Sequence, residues 1–250
     1  PAMLEAQARR MLKDDRATSL THDFAFQWLG ITKLDEIEPD ERLFPNASGP
    51  LDARPLLKRE LALFIDSVLR SDQPLTRLLT ADYTFLNEPL AQLYGINTVK
   101  GGQFRRVALG AHTHRYGLLG KGAVLMTTAY PNRTAPVLRG AWILERVLGT
   151  PPAQPPPNVG ILQDEVRGKP ATMRERFEIH SRNPSCFACH GVMDPLGFAL
   201  ENFDTVGQFR ARDTDTGGPV DSSGVLPDGT KINGPDDLRA ALAALPAQFT

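Results

Sequence analysis

The residues best suited to chemistry fall in one short run. Cys186 and Cys189 are the chain's 2 cysteines, and His190 follows the second directly. Thiols at that spacing reach the two vinyl groups on one side of a porphyrin, and an imidazole placed immediately after them can rise beneath the iron. The run therefore predicts one covalently attached haem c, with Cys186 and Cys189 as attachment points and His190 as the proximal iron ligand. Asn183 and Pro184 read as the N-cap and first residue of a helix, where proline's missing N–H is not needed. The run should then lie on the first turns of that helix.

Other uses of the same residues are weaker. Zinc needs four tetrahedral ligands, and no second CxxC or HxxxH lies nearby. A redox-active CxxC is a second rival. Two buried, unreactive cysteines beside a chance histidine would leave the spacing without a cause.

The sixth iron position separates two kinds of function: a Met or His there favours electron transfer, and an open site favours small-molecule chemistry. Met193 lies three residues after His190, hence on the proximal side of the ring, and no methionine follows it. The candidates move upstream to Met126 and His180, with Met173, His112 and His114 behind them. Each has a plainer reading: a core methionine for Met126, a helix cap or propionate contact for His180, a solvated loop for His112 and His114. Propionates call for cations, and Arg133, Arg139, Arg174 and Arg176 flank the proline-rich stretch. Phe187, Phe198, Phe203 and Tyr130 suit a porphyrin wall. Asp213, Asp215, Asp221 and Asp228 suggest calcium, but they miss the EF-hand spacing, and Asp-Gly turns account for them.

The elements that must hold these residues read as mainly α: an N-terminal helical region over residues 1–150, a proline-rich strap over 151–170, and a small haem-bearing domain over 171–250. Leu4, Ala8, Met11 and Leu12 recur at helical spacing, as do Leu57, Leu61, Phe64, Ile65 and Val68, so both faces are expected in the core. A helical pattern runs from Leu75 to Tyr94 and stops at Gly95. Residues 97–115 read as a connector with a short extended piece at most. Val137, Ala141, Leu144 and Leu148 mark a helix ending at Gly149, before prolines 151, 152, 155, 156 and 157, which favour an extended polyproline II segment. A helix is expected from about Ala171 to Ser181, a short β-hairpin within Gly207–Asn233, and a last helix from about Pro235 to Leu245.

Composition narrows the function classes. With 41% hydrophobic residues, 23% charged residues and a net charge of -1, the chain is close to a soluble globular average. No apolar run is long enough to span a bilayer, and no basic stripe suits nucleic acid. Pro1 begins at once on a helical pattern, with no leader that reads as a signal peptide, which suggests the remainder of a longer precursor.

The run Cys186–Asp204 (CFACHGVMDPLGFALENFD), the segment Tyr130–Gly140 (YPNRTAPVLRG), the proline strap and Asp82–Asn87 (DYTFLN) together resemble large exported bacterial cytochrome c-like proteins built from several domains of unknown function. The resemblance covers nearly the whole chain. It implies a cytochrome c-like haem domain, a periplasmic or otherwise exported location, and an upstream cytochrome-like domain or a separate redox protein as partner. It names no substrate. The expected function is an electron-transfer module; the alternatives are a peroxidase- or dehydrogenase-like haem oxidoreductase with an open distal site, and a scaffold in which haem only completes the core.

Overall fold

The computed structural model describes residues 2–71, 73–153, 165–166, 169–170, 172–180, 184–214 and 216–245. The fold is mainly helical, with small two-stranded antiparallel pairs, as expected from the sequence. Contacts divide it into two compact units, residues 1–127 and 128–249. The sequence reading puts the boundary in the proline strap. Most of that strap, residues 154–164 with 167 and 168, lies outside the described residues.

The first unit contains α1 (Ala2–Leu12), α2 (Phe26–Trp28), α3 (Arg54–Arg70), α4 (Arg77–Thr80), β1 (Tyr83–Leu86), α5 (Glu88–Leu93), β2 (Arg105–Ala108) and α6 (Gly122–Thr127). Helix α3 buries its predicted stripe of Leu57, Leu61, Phe64, Ile65 and Val68. Helix α1 buries nothing: Met3, Leu4 and Met11 are 80%, 77% and 60% exposed, which corrects the expectation of a core face. The long helix read over Leu75–Tyr94 is also corrected. Residues 83–86 pair with 105–108 as a two-stranded antiparallel ladder, with α5 between them in the chain, Tyr83 opposite Ala108 and Leu86 opposite Arg105. Aromatic and β-branched side chains in Tyr83-Thr84-Phe85 fit a pleated strand once a partner is available. Asn87 then caps α5, its side chain accepting from the Leu90 N–H at 3.2 Å.

A polar cluster is enclosed in this unit. Glu60, 1% exposed, accepts from the hydroxyls of Tyr94 (2.6 Å) and Thr84. Tyr94 in turn accepts from the Gly122 N–H at 3.0 Å, and the Arg115 guanidinium lies 3.6 Å from the centre of the Tyr94 ring. Lys121, fully buried, sits 4.2 Å from the centre of the Phe64 ring. Burial pulls its ammonium down to about 8.

The second unit contains β3 (Ala129–Tyr130), β4 (Arg133–Thr134), α7 (Pro136–Trp142), β5 (Glu165–Val166), β6 (Lys169–Pro170), α8 (Met173–His180), α9 (Pro184–Phe198), β7 (Ser223–Val225), β8 (Lys231–Asn233) and α10 (Pro235–Ala243). Helix α7 runs on through wider π-helical turns over Ile143–Val147 and stops before Gly149, whose φ of 64° ends it as expected. Helix α9 begins at Pro184, the residue expected to open it; Asn183 lies outside the described residues. The expected hairpin is β7–β8, with Gly224 opposite Ile232, and the last helix is α10.

Helices α7 and α9 pack closely because two glycines permit it. A Cβ on Gly140 would stand 2.0 Å from the Met193 carbonyl oxygen, and one on Gly197 would stand 1.8 Å from that of Pro136. Main chain meets main chain at both points, so no side-chain movement would make room.

Candidate haem site

The residues from 187 to 198 that share one face of α9 form one wall of a cavity of about 650 Å³: Phe187, His190, Gly191, Asp194, Pro195 and Phe198. Hairpin β7–β8, Arg174 from α8 and Asp237 from α10 supply the rest of the lining. The volume falls within the range of about 300–1,000 Å³ usual for small-molecule and cofactor sites. Two large apolar side chains on its wall, Phe187 and Val225, are 61% and 54% exposed. Apolar surface left open on a concave wall marks a place for a ligand to cover.

Cys186 and Cys189 are both partly exposed and not joined to each other. They lie on the first two turns of α9, with His190 next. The His190 Nδ1 is 2.9 Å and 3.1 Å from the two Asp194 carboxylate oxygens, one helical turn on. Donation from Nδ1 fixes the tautomer whose lone pair is on Nε2, the form that binds a metal. The same hydrogen bond to Asp194 holds the imidazole above its ordinary pKa, against the opposing effect of burial. Among the described residues no three His, Cys, Asp or Glu side chains converge to hold a bare metal ion.

The segments Tyr130–Gly140 and Cys186–Asp204 meet beside α9. Thr134 donates its hydroxyl to Glu201 at 2.7 Å. Arg139, 1% exposed, donates to the carbonyls of Leu200 and Phe203 at 2.7 Å each, to that of Asp204 at 2.9 Å, and to Glu201 at 3.4 Å. Arg210 approaches Glu201 at 3.3 Å from another side. Burial raises the Glu201 carboxyl and lowers the Arg139 guanidinium to about 10, each opposed by the charge of the other. Asp204 accepts the Val206 and Gln208 N–H groups at 3.0 and 2.8 Å and closes the following turn. Residues 130–140 and 194–204 thus form the clamp that holds the helix carrying Cys186, Cys189 and His190. Nothing in the sequence pairs one motif with the other, because the contacts join residues more than sixty positions apart, 62 in the case of Arg139 and Glu201.

Arg174 lines the cavity, stacks 4.3 Å from the centre of the Phe198 ring and pairs with Asp221 at 2.8 Å. Lys231 lines it too, and nothing in the sequence near residue 231 signals that β8 reaches this cavity. Arg139 is committed to the clamp, Arg133 lies 4.5 Å from the centre of the Tyr130 ring, and Arg176 is buried at 8% exposure; none of the three is among the cavity-lining residues described. Phe198 and Phe187 form cavity wall, whereas Phe203 is in the core against Phe209 and Tyr130 is on the surface. Met193 is on α9 with His190, as expected. Met126 is fully buried on α6 of the first unit. His112 and His114 lie in a turn of that unit, His114 with φ 55°. The side chains of His180 and Met173, and all of Asp215, lie outside the described residues. Asp213, Asp221 and Asp228 accept main-chain N–H groups within their own turns at 2.9, 3.0 and 2.9 Å.

Two compact units, each with its own buried polar network, define a multi-domain chain. Residues 1–96 match the family model described as a protein of unknown function (DUF1592), and residues 115–213 match the model described as a protein of unknown function (DUF1588). The second match spans both motifs of the clamp and the Cys186–His190 run, and the first spans Asp82–Asn87. No curated protein and no solved structure matches the chain. Among the described residues no helix is long and apolar enough to cross a membrane.

Proposed function

We propose that the second unit is a c-type cytochrome module. Cys186 and Cys189 carry one haem c, His190 is the proximal iron ligand, and the protein transfers electrons in the periplasm or another exported compartment. The observation that carries this reading is His190, directly after the two thiols, on the wall of a partly apolar cavity with Nδ1 held by Asp194. When bound, the haem would supply a one-electron ferric/ferrous couple. The chain's own residues do the rest. Each thiol adds its S–H across a vinyl C=C, so nothing is released and no oxidant is consumed. Phe187, Phe198, Val225 and Ile232 supply apolar wall that keeps water from the ring. Arg174 and Lys231 are the cations the cavity offers to carboxylates. The resemblance to exported cytochrome c-like proteins supports an upstream cytochrome-like domain or a separate redox protein as the electron partner.

The test is a pyridine haemochrome assay on protein made with a cytochrome c maturation system. Haem that survives acid-acetone extraction, and is lost in the Cys186→Ala/Cys189→Ala variant, is the expected result. Protein that matures without any haem ends the proposal.

A second reading is a haem oxidoreductase with an open distal side. It is favoured by the ionisable groups that share the cavity with His190, namely Arg174, Lys231 and Asp237. A ferric high-spin spectrum that shifts on adding cyanide would select it; a low-spin spectrum that resists cyanide and carbon monoxide would select the electron carrier.

A further inference from the structure

Asp194 is outside the attachment motif, yet its carboxylate faces the imidazole that motif supplies, at 2.9 and 3.1 Å from Nδ1. The pair is shielded from water: the side chains of His190 and Asp194 keep 14% and 10% exposure, and the Phe177 ring lies 6.1 Å from the imidazole. The carboxylate is also held in place by its neighbours. Met193 before it is pressed against Gly140, Pro195 after it has a fixed φ, and Gly224 of β7 abuts Pro195, where an added Cβ would come within 3.0 Å. Of the cations on the same cavity, Arg174 is offset by its ion pair with Asp221.

A metal-bound histidine usually donates its other N–H to a carbonyl, a water or a carboxylate. Only a carboxylate adds a full negative charge, and in a site partly removed from water that charge is weakly screened. We infer that Asp194 is a positioning residue that sets the redox equilibrium of the iron through His190. By drawing on the Nδ1–H it makes Nε2 a stronger electron donor, which favours the ferric state and biases the centre toward giving up its electron. This rests on the haem reading above, and concerns what the iron does once bound.

The experiment is a redox titration of the whole holoprotein and of Asp194→Asn, with haem content measured on the same samples. Asparagine can still accept the hydrogen bond but removes the charge. The expected result is full haem content and a shift of the one-electron equilibrium toward ferrous by about tenfold, ~59 mV upward. Full haem content with a shift of less than twofold overturns the role of Asp194 and leaves the haem reading standing. Wild-type protein without haem overturns both. Should Asp194→Asn fail to mature, Asp194→Glu, which keeps a carboxylate, should carry haem with an equilibrium within a few-fold of wild type; a tenfold shift there also overturns the inference. A further readout needs no variant. In the wild-type holoprotein the His190 ring proton, held by a carboxylate, should exchange slowly with deuterium, and fast exchange counts against the inference whatever the variants do.

Discussion

Arg139 and Glu201 lose almost all contact with water on folding, and what repays that loss is the set of groups each finds. The Arg139 guanidinium serves three main-chain carbonyls and one carboxylate, and Glu201 receives two cations and a hydroxyl. Arg139→Leu would strand those acceptors in the interior, a loss expected to cost about 3–5 kcal/mol in urea denaturation. Glu201→Gln keeps the size and one acceptor and should cost less, about 1–3 kcal/mol. A loss below about 1 kcal/mol for Arg139→Leu would mean that the clamp does not depend on this network. Lys121 makes the opposite case, a cation whose burial is poorly compensated. Its folded value of about 8 lies below the unfolded value of 10.5. Between those values the unfolded chain holds a proton that the folded chain has released, so the Lys121 contribution to stability rises with pH. Below pH 8 both states are protonated and the full burial cost is present. Lys121→Met should remove this rise, most plainly between pH 8 and 10, by an amount of order 3 kcal/mol over the whole interval. Above pH 10 the raised Tyr94 acts in the reverse sense. Equal pH dependence of the two proteins over that window would contradict the assignment.

Helix α9 is placed by its neighbours more than by its own sequence. Pro195 inside it cannot donate to the Gly191 carbonyl, and its C-terminal half is gripped by α7 through Gly140 and Gly197. Ordinary overpacking costs about 1–3 kcal/mol. Gly140→Ala and Gly197→Ala should each exceed that, because the added methyl meets a carbonyl and not a mobile side chain. Gly102→Ala, with nothing within 4 Å, is the control and should stay within about 0.5 kcal/mol. Thermal unfolding measures the cost; under the proposed function, haem content of the same variants also reports whether α9 still presents Cys186, Cys189 and His190. Unchanged melting of both variants would show that the helices do not approach as described.

Each compact unit has a core and an internal polar network of its own, the first around Glu60 and Tyr94, the second around Arg139 and Glu201. Scanning calorimetry of the whole chain should therefore resolve two transitions. Lys121→Met should move one of them and Arg139→Leu the other. A single transition shifted equally by both substitutions would show that the units fold as one.

What could be read in advance depended on residues close together in the chain. The spacing of Cys186, Cys189 and His190, the start of α9 at Pro184, the stripe of α3 and the stops at Gly95 and Gly149 rest on rotation per residue and on local φ preference. Those operate within a turn or two of helix, and the stripe of α3 was wide enough to name its buried face correctly. The same periodicity misled at α1, whose apolar Met3, Leu4 and Met11 stay exposed, and at Tyr83–Leu86, which became a strand because residues 105–108 lie beside it. Nor could spacing distinguish Arg139, enclosed in the clamp, from Arg174, which reaches the cavity, or reveal that Lys231 would join it there. Burial and pairing of a charged side chain are set by groups tens of residues away, and those distances are closed only when α7, α9 and the β7–β8 hairpin pack together.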